Sequence, residues 1–270
     1  MFVTIINDCR DDNAAARQVT RVGSLLAAPV SFIGVDAGKG ASNPAADAAA
    51  AGSLIDVIDA ALDHKSVVLV NVAPRGDRGK KWRNGTPFGY FTYKNTLVVA
   101  TIDGHVLSLA KKLGLVDTIK HVDIPEVAAK MHEDGFIEKD VEEYLSKTQF
   151  RSFDFAPRLA AYILQNKEIP FEVLPIEEIP DLPQEVWWID NFGNCKTTML
   201  IDDLPGKPGE IVSTKFGEVK VYEKLKDVPD QETALIIGSS GLDSNRFVEF
   251  VIQGGSAAAK YDISIGDQIL

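Results

Sequence analysis

The first 165 residues alternate between strand-like and helix-like segments, and this alternation constrains the fold more than any other feature. Short apolar, β-branched runs predict buried strands, whereas the stretches between them carry helical periodicity. The strands are predicted at 2–6, 30–35, 67–72 and 97–102, and the helices at 14–26, 105–113, 126–145 and 154–165. Such a pattern predicts an α/β domain, with a mostly parallel sheet and helices on both faces.

Two further segments of this first domain have a characteristic composition. Ser42-Asn43-Pro44 predicts the start of a helix, because proline suits the first helical turn. The alanine run at 45–51 indicates a closely packed helix that continues to about residue 64. The basic, glycine-rich stretch 73–89 is predicted to be a loop.

Composition changes after residue 167. Four prolines among acidic residues at 168–184 indicate a linker between domains. Short β runs separated by turn residues follow, at 186–189, 210–216, 218–222, 234–237 and 247–252. They predict a smaller, antiparallel, barrel-like β domain over 185–270, after an α/β domain over 1–167.

Charge and cysteine content exclude several classes of protein. A net charge of −11 argues against a nucleic acid or an anionic membrane as partner. Cys9 and Cys195 are far apart and form no CxxC motif, which favours a reducing, cytoplasmic setting. We expect no signal peptide and no membrane-spanning segment. We also expect no metal, because the histidines lack metal-ligand spacing.

Three polar turns in the last third of the chain indicate a binding surface. Glycine lets a ligand approach the main chain, while Ser, Asn and Asp supply directional hydrogen bonds. The turns suggest a small, polar, nucleoside-like ligand, although ordinary hairpin turns favour the same residues. They are Asp190-Asn191-Phe192-Gly193-Asn194, Gly238-Ser239-Ser240-Gly241 and Gln253-Gly254-Gly255-Ser256-Ala257-Ala258.

In this order, the three turns resemble the C-terminal domain of the SAM hydroxide adenosyltransferases and of the related fluorinases and chlorinases. Members of this family attack the C5′ carbon of S-adenosylmethionine (SAM) with water or a halide and release methionine. The resemblance extends over nearly the whole chain. It implies a homotrimer with each site between two subunits, and SAM as substrate or ligand with no other cofactor.

The same resemblance implies roles for individual residues. Asp8 would accept hydrogen bonds from the ribose hydroxyls, as a carboxylate can from a diol, and Asn13 would bind nearby. The alternative for Asp8 is a helix N-cap or a turn residue. In the C-terminal domain, methionine contacts fall to Asp190, Asn194 and Ser239, adenine packing to Phe192, and main-chain contacts with adenine to Ser240 and Gly254.

The catalytic positions depart from the family pattern. Hydrolytic members carry an Asp, an Arg seven residues later and a His, which hold the attacking water. Those positions are occupied here by Ala73, Lys80 and Phe150. The halogenases have a tyrosine at the first position, which Ala73 also does not match. His105 is a candidate substitute base, since a histidine titrates near neutral pH, or it simply begins a helix.

Three functions therefore remain open from the sequence. The first is nucleophilic cleavage of SAM to adenosine, or an adenosyl adduct, and methionine. The second is a catalytically impaired protein that binds and senses or sequesters SAM or adenosine. The third is an enzyme acting on a different nucleoside or small metabolite, suggested by Cys9-Arg10 and the basic loop.

Overall fold

The computed structural model describes residues 1–35, 45–72 and 86–270 of the chain. The predicted helix start at 42–44 and the catalytic positions Ala73 and Lys80 lie outside the described residues.

A seven-stranded sheet organises the first domain, in the order β2-β1-β3-β5-β4-β6-β7. Its first four strands in that order are parallel, with the register Ile5↔Phe32, Ile5↔Leu69 and Leu69↔Val99. The last three run antiparallel to their neighbours. The sheet is therefore mixed. The strands are β1 (Phe2–Asn7), β2 (Val30–Gly34), β3 (Ser66–Asn71), β4 (Phe88–Tyr93), β5 (Thr96–Thr101), β6 (Thr118–Val122) and β7 (Glu172–Pro175).

Helices cover both faces of this sheet, which confirms the predicted α/β class. One buried cluster joins residues of α1, α4 and α7 to one face, and another joins α2 and α3 to the opposite face. The alanines in the first half of α2, Ala46 and Ala48 to Ala51, are almost fully buried, so the helix packs closely on the sheet. The helices are α1 (Asp12–Leu26), α2 (Ala46–Ala60), α3 (Ser108–Lys112), α4 (Ile124–Glu133), α5 (Lys139–Leu145), α6 (Arg151–Asp154) and α7 (Ala156–Leu164).

Three sequence expectations for this domain are corrected. The end of the predicted loop 73–89 belongs to β4, which forms a hairpin with β5 through Lys94 at φ 49°. The single helix predicted over 126–145 is two helices, because Gly135 adopts a left-handed conformation at φ 68°. Within the segment 168–184, interpreted as a linker, β7 is paired with β6 as the edge of the sheet.

A second, six-stranded sheet forms the C-terminal domain, in the order β10-β11-β12-β13-β9-β8. All its neighbouring strands are antiparallel except β11 and β12. Near the chain end, Asp267 O accepts a hydrogen bond from Val186 N and Ile269 O accepts one from Lys215 N. These bonds connect the two edges of the sheet, consistent with the predicted barrel-like shape. The elements are β8 (Val186–Ile189), β9 (Cys195–Leu200), β10 (Ile211–Thr214), β11 (Gly217–Tyr222), β12 (Thr233–Leu242), β13 (Asn245–Ile252) and α8 (Ala257–Tyr261).

The two domains share a buried apolar interface centred on Trp187. This side chain is 2% exposed and lies directly over Gly52 of α2, where a Cβ atom would approach its ring to 2.2 Å. Its ring also contacts Phe247 edge-on at 6.3 Å between centroids. Trp187, Leu242 and Phe247 belong to the same core cluster as the alanines of α2. Only glycine at position 52 allows this contact.

Candidate functional site

A cavity of about 360 Å³ opens at the carboxyl end of β1. It is bounded by one face of α1 and by the segment that leads into α6. The carboxyl ends of parallel strands are where α/β sheets usually bind ligands. The lining residues are Cys9, Ala14, Arg17, Gln18, Tyr144, Phe150, Ser152, Phe153 and Asp154.

Asp8 and Asn13, expected at the ribose, lie beside this cavity. Asp8 is half-buried and immediately precedes the lining residue Cys9, while Asn13 is exposed in the first turn of α1. The N-cap of α1 is Asp11, whose Oδ1 accepts a hydrogen bond from Ala14 N at 3.0 Å. The N-cap alternative for Asp8 is therefore wrong.

Phe150 lines the cavity at the position where the resemblance implies a catalytic histidine. Its side chain is 63% exposed and carries no proton-transferring group. Nearby Asp154 is 4% exposed, and its carboxylate accepts hydrogen bonds from Tyr144 Oη at 2.8 Å and Thr148 Oγ1 at 3.1 Å. Arg21 pairs with the other oxygen at 3.4 Å. Asp154 therefore has a structural role, because its hydrogen bonds and ion pair join the segments that form this wall of the cavity.

His105 lies after β5 and is half-buried. Its backbone N–H donates to Asp47 Oδ2 at 2.9 Å, and its Nδ1 is 3.3 Å from Ser108 Oγ. Ser108 itself donates to the carbonyl of Pro180 at 2.6 Å. These contacts place His105 in the connection between β5 and α3, and it is not among the residues that line the cavity.

The turn between β8 and β9 is organised by Asp190. Its Oδ1 accepts hydrogen bonds from the backbone N–H of Phe192 at 2.8 Å and of Asn194 at 2.9 Å, and its Oδ2 accepts Asn194 Nδ2 at 2.9 Å. Gly193, at φ 83°, lies against Ser256, and its carbonyl accepts Ala258 N at 3.0 Å. This arrangement leaves the Phe192 ring 70% exposed. The structure therefore brings the first and third predicted turns together.

Ser240 is held by the neighbouring domain. Its side chain is buried and donates to Asp56 Oδ2 of α2 at 2.8 Å, and it accepts a hydrogen bond from Lys196 Nζ at 2.5 Å. The other oxygen of Asp56 accepts Gly241 N at 3.0 Å. One turn along α2, Asp59 pairs with Arg246 at 2.8 Å. Helix α2 thus fixes the main chain of residues 238–241, which form part of the bulged strand β12 and not the predicted turn.

Glu249 accepts a hydrogen bond from residues 238–241 and is also affected by the charge of Asp190. It is 6% exposed, and its Oε1 accepts a hydrogen bond from Ser239 N at 3.3 Å. Burial raises the pKa of the Glu249 carboxyl, Lys196 opposes this, and Asp190 and Asp56 raise the pKa further. Burial likewise raises the pKa of Asp56. Lys196 lowers the pKa of both Asp56 and Glu249, so its ammonium group partly compensates these two buried carboxylates.

Gly254 is not brought beside Ser240. Strand β12 pairs with β13 from Thr233↔Ile252 at one end to Leu242↔Asn245 at the other. Ser240 lies near the second end and Gly254 just beyond the first, so the strand rise of ~3.4 Å per residue separates them by about 20 Å. The adenine contacts expected for Ser240 and Gly254 stay predictions, and the register places these two residues toward opposite ends of the hairpin.

Comparison with known proteins identifies a family match in the C-terminal part of the chain. The family model of the SAM hydroxide adenosyltransferase C-terminal domain matches residues 184–270. Residues 184–270 therefore match the C-terminal domain of this family, which confirms the resemblance for that part of the chain. No curated protein matches the chain.

Two solved structures share the fold over the full length of the chain. An uncharacterized conserved protein from Thermotoga maritima aligns with a TM-score of 0.63 at 17% identity, over 99% of this chain and 100% of that chain. A conserved hypothetical protein from Thermus thermophilus aligns with a TM-score of 0.56 at 20% identity, over 99% of both chains. At these identities the likeness establishes the fold alone. Among the described residues, no helix is both long and apolar enough to cross a bilayer.

Sequence reasoning missed the ionisable residues around the second turn. Lys196 lies in β9, a strand that was not predicted from the sequence, and Asp56 lies on α2, a helix of the other domain. Glu249 gave a signal that could have been used, because it is the only charge in the apolar run 247–252. A lone carboxylate inside a buried strand requires a partner or a raised pKa.

Proposed function

We propose that the protein binds SAM and cleaves it at C5′ by nucleophilic displacement, giving methionine and adenosine or an adenosyl adduct. The β8–β9 turn carries the proposal, because it lies within the matched family domain and presents an exposed aromatic ring beside a carboxylate. Departure of methionine as a neutral thioether needs no general acid, so positioning alone supplies much of the rate.

The proposed ligand contacts divide between the two domains. Asp190 and Asn194 are assigned to methionine, together with Ser239, whose backbone N–H is fixed by Glu249. Phe192 stacks on adenine, and Asp8 and Asn13 hold the ribose. A homotrimer would place the small domain of one subunit against the large domain of its neighbour, so that both halves meet at one ligand.

A second function, binding without turnover, is favoured by Phe150. A phenylalanine at the position of the family histidine cannot take a proton from water, which needs a positioned base at neutral pH. In that case the protein senses or sequesters SAM or adenosine with the same binding residues.

One incubation separates these functions. The purified protein is mixed with SAM, with and without halide, and adenosine, halogenated adenosine and methionine are followed by chromatography. Equimolar methionine and nucleoside product supports cleavage. SAM binding measured by calorimetry without product over hours supports the binding-only function. If SAM neither binds nor reacts, both proposals are wrong, and another nucleoside or metabolite becomes the substrate class to test.

Phe192→Ala is expected to weaken SAM binding about tenfold, because stacking of a base on an aromatic ring contributes ~1–3 kcal/mol. The ring is 70% exposed, so its removal should leave the thermal unfolding midpoint almost unchanged. Calorimetric titration measures the affinity. Phe171→Ala, at a 43% exposed ring next to β7, is the matched control and should bind SAM as the wild type does. Equal affinity of Phe192→Ala and wild type would contradict the stacking role.

A further inference from the structure

The cavity at the end of β1 combines a cation with hydrogen-bond donors that have no acceptor. Arg17 lines the cavity, and its guanidinium lies over the Phe153 ring, 4.7 Å from the centroid. Among the residues that the structure describes, no carboxylate pairs with Arg17 and no acceptor takes its N–H groups. A guanidinium carries five N–H donors in a planar fork that fits carboxylate and phosphate groups.

Two neutral donors face the same space. Gln18 is 6% exposed, and its Oε1 accepts a hydrogen bond from Asn7 Nδ2 at 2.6 Å. Within 1–35, 45–72 and 86–270, nothing accepts a bond from its Nε2 group, nor from the hydroxyl of Ser152. Because Gln18 lines the cavity, its amide group can donate a hydrogen bond to a ligand bound there.

The negative charge of the wall is already compensated. Asp154 is the only carboxylate among the described lining residues, and its oxygens accept bonds from Tyr144, Thr148 and Arg21. Arg21 also lies over the Phe153 ring, 4.1 Å from the centroid, so two guanidiniums flank one aromatic side chain. The charge of Asp154 is therefore balanced by Arg21, which leaves Arg17 as a second cation at the cavity.

We propose that this cavity binds a small oxyanion, a phosphate or a carboxylate, through Arg17, Gln18 Nε2 and Ser152 Oγ. Charge-assisted bonds from a planar guanidinium hold such a group in a fixed orientation. A free anion and the carboxylate of a larger metabolite offer the same chemistry. This site depends on residues of the first domain alone, so it stands whether or not the protein acts on SAM.

Binding is tested with inorganic phosphate, acetate and chloride at constant ionic strength, by calorimetric titration of the whole protein. We expect phosphate or acetate to bind and chloride to give no comparable heat. SAM and decarboxylated SAM, each titrated with and without the bound anion, identify the source. If SAM competes with the anion and decarboxylated SAM does not, the carboxylate of SAM occupies the cavity. If neither compound competes, the cavity binds a free oxyanion.

Variants assign the site. Arg17→Gln should weaken anion binding about tenfold or more, and Ser152→Ala severalfold. Lys65→Gln removes the same charge at the amino end of β3, opposite the cavity end of the sheet, and should leave binding unchanged. Because Arg17 is exposed, its substitution should preserve the fold, which circular dichroism checks.

Alkylation of Cys9 by neutral iodoacetamide gives an independent readout. Cys9 is exposed and lines the cavity, whereas Cys195 is buried, so native alkylation reports on Cys9. The bound anion should slow this reaction in the wild type and not in Arg17→Gln, each compared with its own anion-free rate. If neither phosphate nor acetate binds the wild type, or if Arg17→Gln binds and protects equally well, the proposal is wrong.

Discussion

Trp187→Ala is expected to lower the free energy of unfolding by about 3–5 kcal/mol, as truncation of a large buried aromatic residue does. The side chain is 2% exposed and fills the space between Gly52 and Phe247 at the domain interface. Helix α2 cannot close the resulting cavity, because it is already packed on the first sheet through its alanines. Urea unfolding followed by far-ultraviolet circular dichroism measures the loss.

Two further variants define what Trp187 contributes. Its indole N–H has no hydrogen-bond partner among the described residues, so Trp187→Phe should retain most of the stability that Trp187→Ala loses. Trp188→Ala, at the neighbouring half-buried ring, should cost clearly less. Equal losses for Trp187→Ala and Trp188→Ala would show that the interface does not depend on the contact with Gly52.

Lys196→Met is expected to destabilise the protein by about 2–3 kcal/mol at pH 8. Removal of one partner from a buried ion pair costs ~3–5 kcal/mol, and the partial exposure of this group reduces that value. Lys196 Nζ lies 3.9 Å from Asp56 Oδ2, and the two side chains are 17% and 33% exposed. Without it, Asp56 and Glu249 lose the cation that lowers the pKa of both carboxyls.

The deficit of Lys196→Met should shrink as the pH falls. Burial raises the pKa of both Asp56 and Glu249 in the folded protein. At any pH between the ordinary pKa of these carboxyls and their raised pKa in the folded state, the native state therefore binds more protons than the unfolded state. Stability from these groups is therefore lost as pH rises through that range and regained on acidification. Urea midpoints for wild type and variant at pH 5, 6, 7 and 8 measure this.

Glu249→Gln and Lys220→Met are the controls for this prediction. Glu249→Gln keeps an oxygen to accept Ser239 N and removes a carboxylate with a raised pKa, so it should be stabilising at pH 8 and neutral near pH 4. Lys220→Met removes an exposed charge from β11 and should change little. A Lys196→Met deficit that stays constant with pH would contradict the electrostatic explanation.

The fold class could be predicted because apolar runs and helical periods are local signals. The runs at 30–35 and 67–72 became β2 and β3 almost unchanged. Strand β6 was missed because polar residues interrupt it, and β4 and β7 were missed because they begin within segments interpreted as a loop and a linker. Their place in the sheet is decided by pairing between distant segments, and neither composition nor period contains that information.

The candidate site could be predicted only in part. The turn at Asp190 was found because Asp, Asn and Gly mark it locally, and Asp190 does organise its hydrogen bonds. The relative positions of Ser240 and Gly254 could not be predicted, because a sequence does not give the register of β12 against β13. The donors of Arg17 and Gln18 were also missed, since residues on one helix face become a cavity wall only when α6 is folded against it.

The contact of Trp187 with Gly52 also bears on whether the C-terminal domain can fold alone. The family match starts at residue 184, but the largest buried side chain of this domain is covered by a helix that lies more than a hundred residues earlier in the chain. Residues 184–270 expressed alone would present Trp187, Leu242 and Phe247 to water as one apolar patch. A different N-terminal domain placed before this one would need a residue as small as glycine opposite Trp187 to cover the same patch.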